Sequence, residues 1–264
     1  MRKLLLAVLL AACPPVLPEV DGGVAPPASL KHAHNDYEHA RPLLDALDQG
    51  FESVEADVWL DGDDIGVSHT GVPFKGSLRA LYLDPLAARV AARSGSVHGD
   101  RRPFFLWIDL KQGDAKLQEL LVTQLAAYDM LSTFSDLGED RPGAVVVVLT
   151  GNDAAKRALV ERPGPRPYVR DSNFYSPDDP PADGKWAFYA VNYWGFLAWD
   201  GNGAMPAAQR RQLENLVNGA RAKGRAIRLF ANPDTPAYWR EARAAGVDFV
   251  NTDKLAELAA AFRE

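Results

Sequence analysis

The chain has 264 residues, 47% hydrophobic and 24% charged, enough apolar material for one sizeable core or two small ones. Its 29 basic and 35 acidic side chains leave a formal charge of −6, which argues against a broad nucleic-acid-binding surface. One cysteine excludes an intrachain disulfide, and the absence of a sustained repeat of roughly 20–50 residues argues against a solenoid.

At the N-terminus, Arg2 and Lys3 precede an apolar run over 4–12 that is too short to span a bilayer comfortably and reads as an export signal. Leu10-Ala11-Ala12-Cys13 resembles the bacterial lipoprotein signal. That resemblance implies loss of residues 1–12, a lipid on Cys13, and anchoring on the periplasmic or extracellular face of a membrane. Residues 13–28 are rich in Pro and Gly and read as a tether, leaving 29–264 as a single domain.

From there short apolar runs alternate with amphipathic stretches. A strand is expected over 29–32. Arg41-Pro42 opens a helix whose Leu43, Leu44 and Leu47 recur at helical spacing, and Gly50 ends it. A second strand over 53–59 turns through 61–64 and returns over 65–68. Residues 81–93 read as helix. PFFLWIDL (103–110) is apolar enough for a strand buried on both faces, and AVVVVLT (144–150) is clearer still. Between them, Leu117, Leu120, Leu121 and Leu125 stripe a helix over 115–128. Further strands are expected over 167–170, 187–193, 226–231 and 248–252, and helices over 206–223, 236–245 and 254–262. The Pro- and Asp-rich segment 162–185 reads as a long active-site loop. About eight strand–helix units predict an α/β fold, a closed (β/α)8 TIM barrel, with an open doubly wound sheet as the alternative. No GxGxxG or GxxxxGK[ST] fingerprint supports a nucleotide-binding version.

Polar residues fall at the C-terminal ends of these strands: His32; Glu55 and Asp57, spaced i, i+2 and so on one face; Asp109 and Lys111; Asn192; Asn232; Asn251 and Asp253. A parallel barrel gathers such ends on its catalytic rim. Asp109 inside PFFLWIDL is costly unless paired or metal-bound. Three carboxylates with few histidines favour Mg²⁺ or Ca²⁺ over zinc. Histidines suit proton transfer near neutral pH, and Lys111 adds positive charge.

This set resembles the glycerophosphodiester phosphodiesterase and phosphatidylinositol-specific phospholipase C-like superfamily of TIM barrels. HAHNDY (32–37) and EADVWL (55–60) look especially like the branch named after altered inheritance of mitochondria protein 6. The spider-venom sphingomyelinase D enzymes share a similar order. The resemblance implies a metal-dependent phosphodiester hydrolase or cyclising phosphodiesterase. Glu55, Asp57 and Asp109 would hold the cation, His32 and His69 would move protons, and Lys111 would assist. His34, Asn35, Asn192, Trp194 and Asn232 are candidate substrate contacts. The expected partner is a phosphodiester small molecule or lipid head group, with no nucleic acid. The superfamily's usual His-Arg-Gly is His32-Ala33-His34 here, which bears on the head group rather than on the phosphodiester. A non-catalytic lipid-anchored binding barrel is the runner-up. An amidohydrolase-type site built on His32-x-His34 would need histidines on middle strands, and none follows His98.

Overall fold

A computed structural model describes residues 29–263. The export signal, Cys13 and the tether expected over 1–28 lie outside the described residues. In chain order the elements are β1 (Leu30–Ala33), α1 (Leu44–Asp48), β2 (Ser53–Asp61), β3 (Asp64–Val67), β4 (Gly76–Ser77), α2 (Asp84–Ala92), β5 (Phe104–Leu110), α3 (Ala115–Leu125), β6 (Val145–Gly151) and α4 (Asp153–Val160). They continue as β7 (Val169–Ser172), β8 (Trp186–Asn192), α5 (Ala207–Ala222), β9 (Ala226–Phe230), α6 (Pro236–Ala245), β10 (Phe249–Thr252) and α7 (Leu255–Ala261). Strands β1, β2, β5, β6, β7, β8, β9 and β10 pair in parallel in that circular order, and β10 returns to β1. The sheet is therefore a closed eight-stranded barrel. Strands β3 and β4 are an antiparallel extension of β2.

Two apolar cores follow from alternation along each strand. Outward residues such as Val54, Leu106, Ile108, Val147 and Leu149 pack under helix residues including Leu117, Leu121, Leu159 and Leu213. Inward residues Trp107, Val148, Phe188, Ala190 and Phe249 fill the barrel. Trp107 is the hub of that interior. Its ring meets Phe249 at 5.4 Å, Phe188 at 5.5 Å and His32 at 5.7 Å, all edge-to-face.

The helix signals are local. Asp114 caps α3 and Asn152 caps α4 through their side-chain oxygens. Thr235 caps α6 with Pro236 in its first turn, and Gly246 ends it in the left-handed conformation. Two elements depart from expectation. Helix α4 is absent from the sequence reading because its eight residues give a short period. Residues 79–83 form a π-helical turn leading into α2. Segment 162–185 contains the expected strand as β7, two residues later than 167–170, and the rest reaches β8 without a helix. Arg225 pins the remainder, stacking 3.6 Å from the Trp186 ring and donating to the carbonyls of Pro180 and Pro181.

Trp107→Ala should cost roughly 3–5 kcal/mol of unfolding free energy, because the surrounding rings cannot collapse into the space. Urea denaturation followed by circular dichroism checks this.

Candidate active site

Pairing of β2 with β5 sets Glu55 beside Trp107 and Asp57 beside Asp109 on the inward face. One oxygen from each of Glu55, Asp57 and Asp109 lies within 4.8 Å of the others. Each carboxylate has one oxygen tied by protein donors. Arg228 Nη2 donates to Glu55 Oε1 at 2.8 Å. Lys111 Nζ donates to Asp109 Oδ2 at 2.9 Å. Asp57 Oδ2 takes Tyr37 at 2.7 Å, Lys111 at 2.8 Å and His69 Nδ1 at 3.1 Å. The second oxygens, Glu55 Oε2, Asp57 Oδ1 and Asp109 Oδ1, are buried with no hydrogen-bond partner in the structure. Three buried acceptors without donors fit a hard divalent cation, which takes oxygen ligands and removes the cost of leaving them bare.

The local backbone supports this arrangement. Gly151 ends β6 at φ +82°, and a Cβ there would overlap Asp109 Oδ1. Glycine is therefore what lets Asp109 stand in the site. Burial and the neighbouring charges of Glu55 and Asp109 push the Asp57 carboxyl up to about 6. Asp109 is likewise raised by burial and by Glu55. Burial also opposes the charge on Glu55, but the Arg228 cation and the neighbouring histidines outweigh it and hold its pKa well below the usual range.

The histidines separate by depth. His32 is not on the rim as the strand ending predicts. It is fully buried, with Nδ1 on Ser53 Oγ at 2.7 Å and Nε2 on Arg228 Nη1 at 2.5 Å. An arginine can only donate, so Nε2 is the acceptor and Nδ1 carries the proton. Burial and Arg228 lower His32 to about 3. The rim position belongs to His34, two residues on. Its Nδ1 contacts Asp253 Oδ1 at 2.8 Å and its Nε2 stands 3.7 Å from Glu55 Oε2. Burial disfavours charge on His34, but the Asp253 hydrogen bond and the Glu55 and Asp253 charges outweigh it and raise its pKa. His69 is more than half exposed and reaches Asp57 through Nδ1.

Residues 35–43 form the loop that carries Tyr37 to this site. Asn35 is left-handed at φ 44°, and Leu43 holds φ 64°, a conformation disfavoured for a leucine. Asp36 binds the loop together: its Oδ2 accepts from the Leu43 amide at 2.5 Å and from Tyr82 at 2.9 Å. Burial pushes Asp36 up to about 7. Asn35 Oδ1 lies 2.8 Å from the Tyr37 hydroxyl.

The remaining expected contacts are further out. Asn192 caps the turn after β8 by accepting from the Trp194 amide, and Trp194 is half exposed beyond it. Asn232 donates to the carbonyls of Pro233 and Asn251. Of the other aromatics in this stretch, Tyr189, Tyr193 and Trp199 are core residues. Arg228 and Tyr37 are absent from the residue set expected on sequence grounds; His34 and Asp253 are in it, as a candidate substrate contact and a strand-end residue, but their pairing is not. Arg228 had a signal, since a cation within the apolar strand AIRLF is as costly as Asp109 in PFFLWIDL. Tyr37 had none.

Comparison with known proteins bears on the family and the fold. The model of the AIM6-like phosphodiesterase domain matches residues 23–163, more than half of the chain. The chain belongs to the AIM6-like phosphodiesterase family. Altered inheritance of mitochondria protein 6 of Eremothecium gossypii is 33% identical over 158 residues, covering 52% of this chain and 40% of that protein. The chain thus spans well under half the length of that relative. The Saccharomyces cerevisiae protein of the same name is 25% identical over 268 residues, covering 85% of this AIM6-like chain and 68% of the yeast one. Crystal structures of glycerophosphodiester phosphodiesterases from Parabacteroides distasonis and Agrobacterium tumefaciens share the fold. Each is 14% identical, with TM-scores of 0.54 and 0.51, covering 91% and 89% of this chain and all of theirs. The curated relatives are yeast proteins. They point away from the bacterial membrane-anchored lipoprotein expected from Cys13, and that localisation is corrected accordingly.

Asp36 supplies a pH test. Its folded pKa lies above the ordinary value of 3.8. Its contribution to stability is therefore present below about pH 4 and is lost as the pH rises towards 7. Asp36→Asn keeps an acceptor for Leu43 and Tyr82 but cannot ionise. The stability of that variant relative to wild type should grow by roughly 3 kcal/mol between pH 4.5 and pH 8, measured by denaturant titration.

Proposed function

We propose that the chain is a divalent-cation-dependent phosphodiesterase in which His34 and His69 are the proton-transfer pair. The observation that carries this reading is the set of three buried carboxylate oxygens without donors, on residues that cluster together, with His34 3.7 Å from Glu55 and His69 hydrogen-bonded to Asp57. Glu55, Asp57 and Asp109 would hold Mg²⁺ or Ca²⁺, which when bound offsets charge on the non-bridging phosphate oxygens.

The chain's own residues divide the remaining work. Asp57 accepts from His69 Nδ1, which leaves His69 Nε2 free to take a proton from the attacking water or substrate hydroxyl. Asp253 keeps His34 in the corresponding tautomer and favours its charged form, so His34 is the proton donor to the leaving oxygen. Lys111, between Asp57 and Asp109, offsets their mutual repulsion and adds positive charge near the phosphate. His32 has no free lone pair and supports the site from beneath. The fitting substrate class is a glycerophosphodiester, phospholipid or related phosphodiester. A neighbouring hydroxyl as nucleophile would give a cyclic phosphate, and water would give a monoester.

The test is a panel of glycerophosphodiesters, lysophospholipids, inositol lipids and cyclic phosphates, assayed with Mg²⁺ and with Ca²⁺. His34→Asn and His69→Asn should each lower kcat by roughly 100-fold or more while leaving the melting temperature nearly unchanged. A chelator should abolish turnover, and the cation should restore it. Full turnover after exhaustive chelation removes the cation from the reading. No turnover of any panel member overturns the activity and favours a binding barrel. ³¹P NMR of the product separates cyclisation from hydrolysis.

A further inference from the structure

The three carboxylates share a feature that goes beyond their capacity to bind a cation. Each has one oxygen committed to a protein donor and one oxygen free. On Glu55 the committed oxygen is Oε1, held by Arg228. On Asp109 it is Oδ2, held by Lys111. On Asp57 it is Oδ2, held by Tyr37, Lys111 and His69. The free oxygens are the buried, unpartnered ones.

Resting on the cation reading above, we propose that Arg228 and Lys111 are specificity-determining residues that restrict Glu55 and Asp109 to one ligand oxygen each and bias the site towards Mg²⁺ over Ca²⁺. The two cations differ in what they ask of a carboxylate. Calcium takes roughly 6–8 oxygens and commonly claims both oxygens of a carboxylate, whereas magnesium is smaller, uses single oxygens and keeps several waters. A capped carboxylate can serve the second ion fully and the first only in part.

Arg228 is built for this restriction. It is fully buried, and its guanidinium lies 4.6 Å from the Trp107 ring centroid while one nitrogen contacts His32 at 2.5 Å. Held on these sides, it cannot swing away to release Glu55 Oε1. Lys111 spans Asp57 and Asp109 at 2.8 and 2.9 Å, so neither carboxylate can rotate a second oxygen inward without losing a charged partner.

Isothermal titration of Mg²⁺ and Ca²⁺ into metal-free wild type, Arg228→Met, Lys111→Met and Lys111→Arg tests the proposal without any assay of turnover. Arg228→Met and Lys111→Met each free an oxygen, and the Ca²⁺-to-Mg²⁺ affinity ratio should rise roughly tenfold or more in each. Lys111→Arg keeps a donor and should stay within about threefold of wild type. Lys111 reaches the surface, so Lys111→Met carries the test if Arg228→Met does not fold. Cation binding in wild type with an unchanged ratio in folded Lys111→Met overturns the capping role alone. Wild type that binds neither cation removes the metal reading and this proposal with it.

Discussion

A guanidinium sealed inside a barrel governs this molecule. Arg228 enters from β9, meets Glu55 from β2 and His32 from β1, and lies over Trp107 from β5. Four strands thus converge on one charge. Moving such a charge out of water is costly, and it is tolerated because Glu55 supplies the opposite charge at 2.8 Å and the Trp107 face supplies a weaker attraction. The pair carries no excess charge into the interior. It leaves the layer above, Asp57 and Asp109, as the part of the site with too much negative charge, only partly offset by Lys111. Glu55 is thus neutralised through one oxygen, while Asp57 and Asp109 share a single lysine.

Depth decides the roles of the histidines by the same physics. His32 and His34 share a motif, but β-strand alternation and a two-residue advance place one in the dry interior and the other at the mouth. In the interior, an adjacent guanidinium and the loss of water keep an imidazole neutral and occupied. At the mouth, with Asp253 beside it, the imidazole gains basicity and solvent access. The chemistry follows the environment, not the residue type.

Much of this was legible in the order of residues. Runs such as PFFLWIDL and AVVVVLT can only be strands covered on both sides, and their alternation with amphipathic stretches implies parallel pairing. Glu55, Asp57 and Asp109 stood out because carboxylates in apolar strands need a reason. Arg228 meets the same criterion and escapes notice because AIRLF is short and cations are common. His32 versus His34 was not legible: both lie within one residue of a strand end, and only the register with β2 and β10 tells which one is buried. Tyr37 enters the site through a loop with two left-handed residues, a geometry that spacing alone does not reveal.

The seam where β10 meets β1 has its own consequence. His34 and Asp253 are 219 residues apart in the chain, yet they face each other because Ala33 pairs with Thr252 one step below. The acids and both rim histidines belong to the first half of the molecule. The countercharge Arg228 and the partner Asp253 arrive from the last quarter. An incomplete barrel would hold an unneutralised Glu55 and an unsupported His34, so the site comes into being only when the final strand docks. Assembly of this cluster is in this sense a report on the completion of folding.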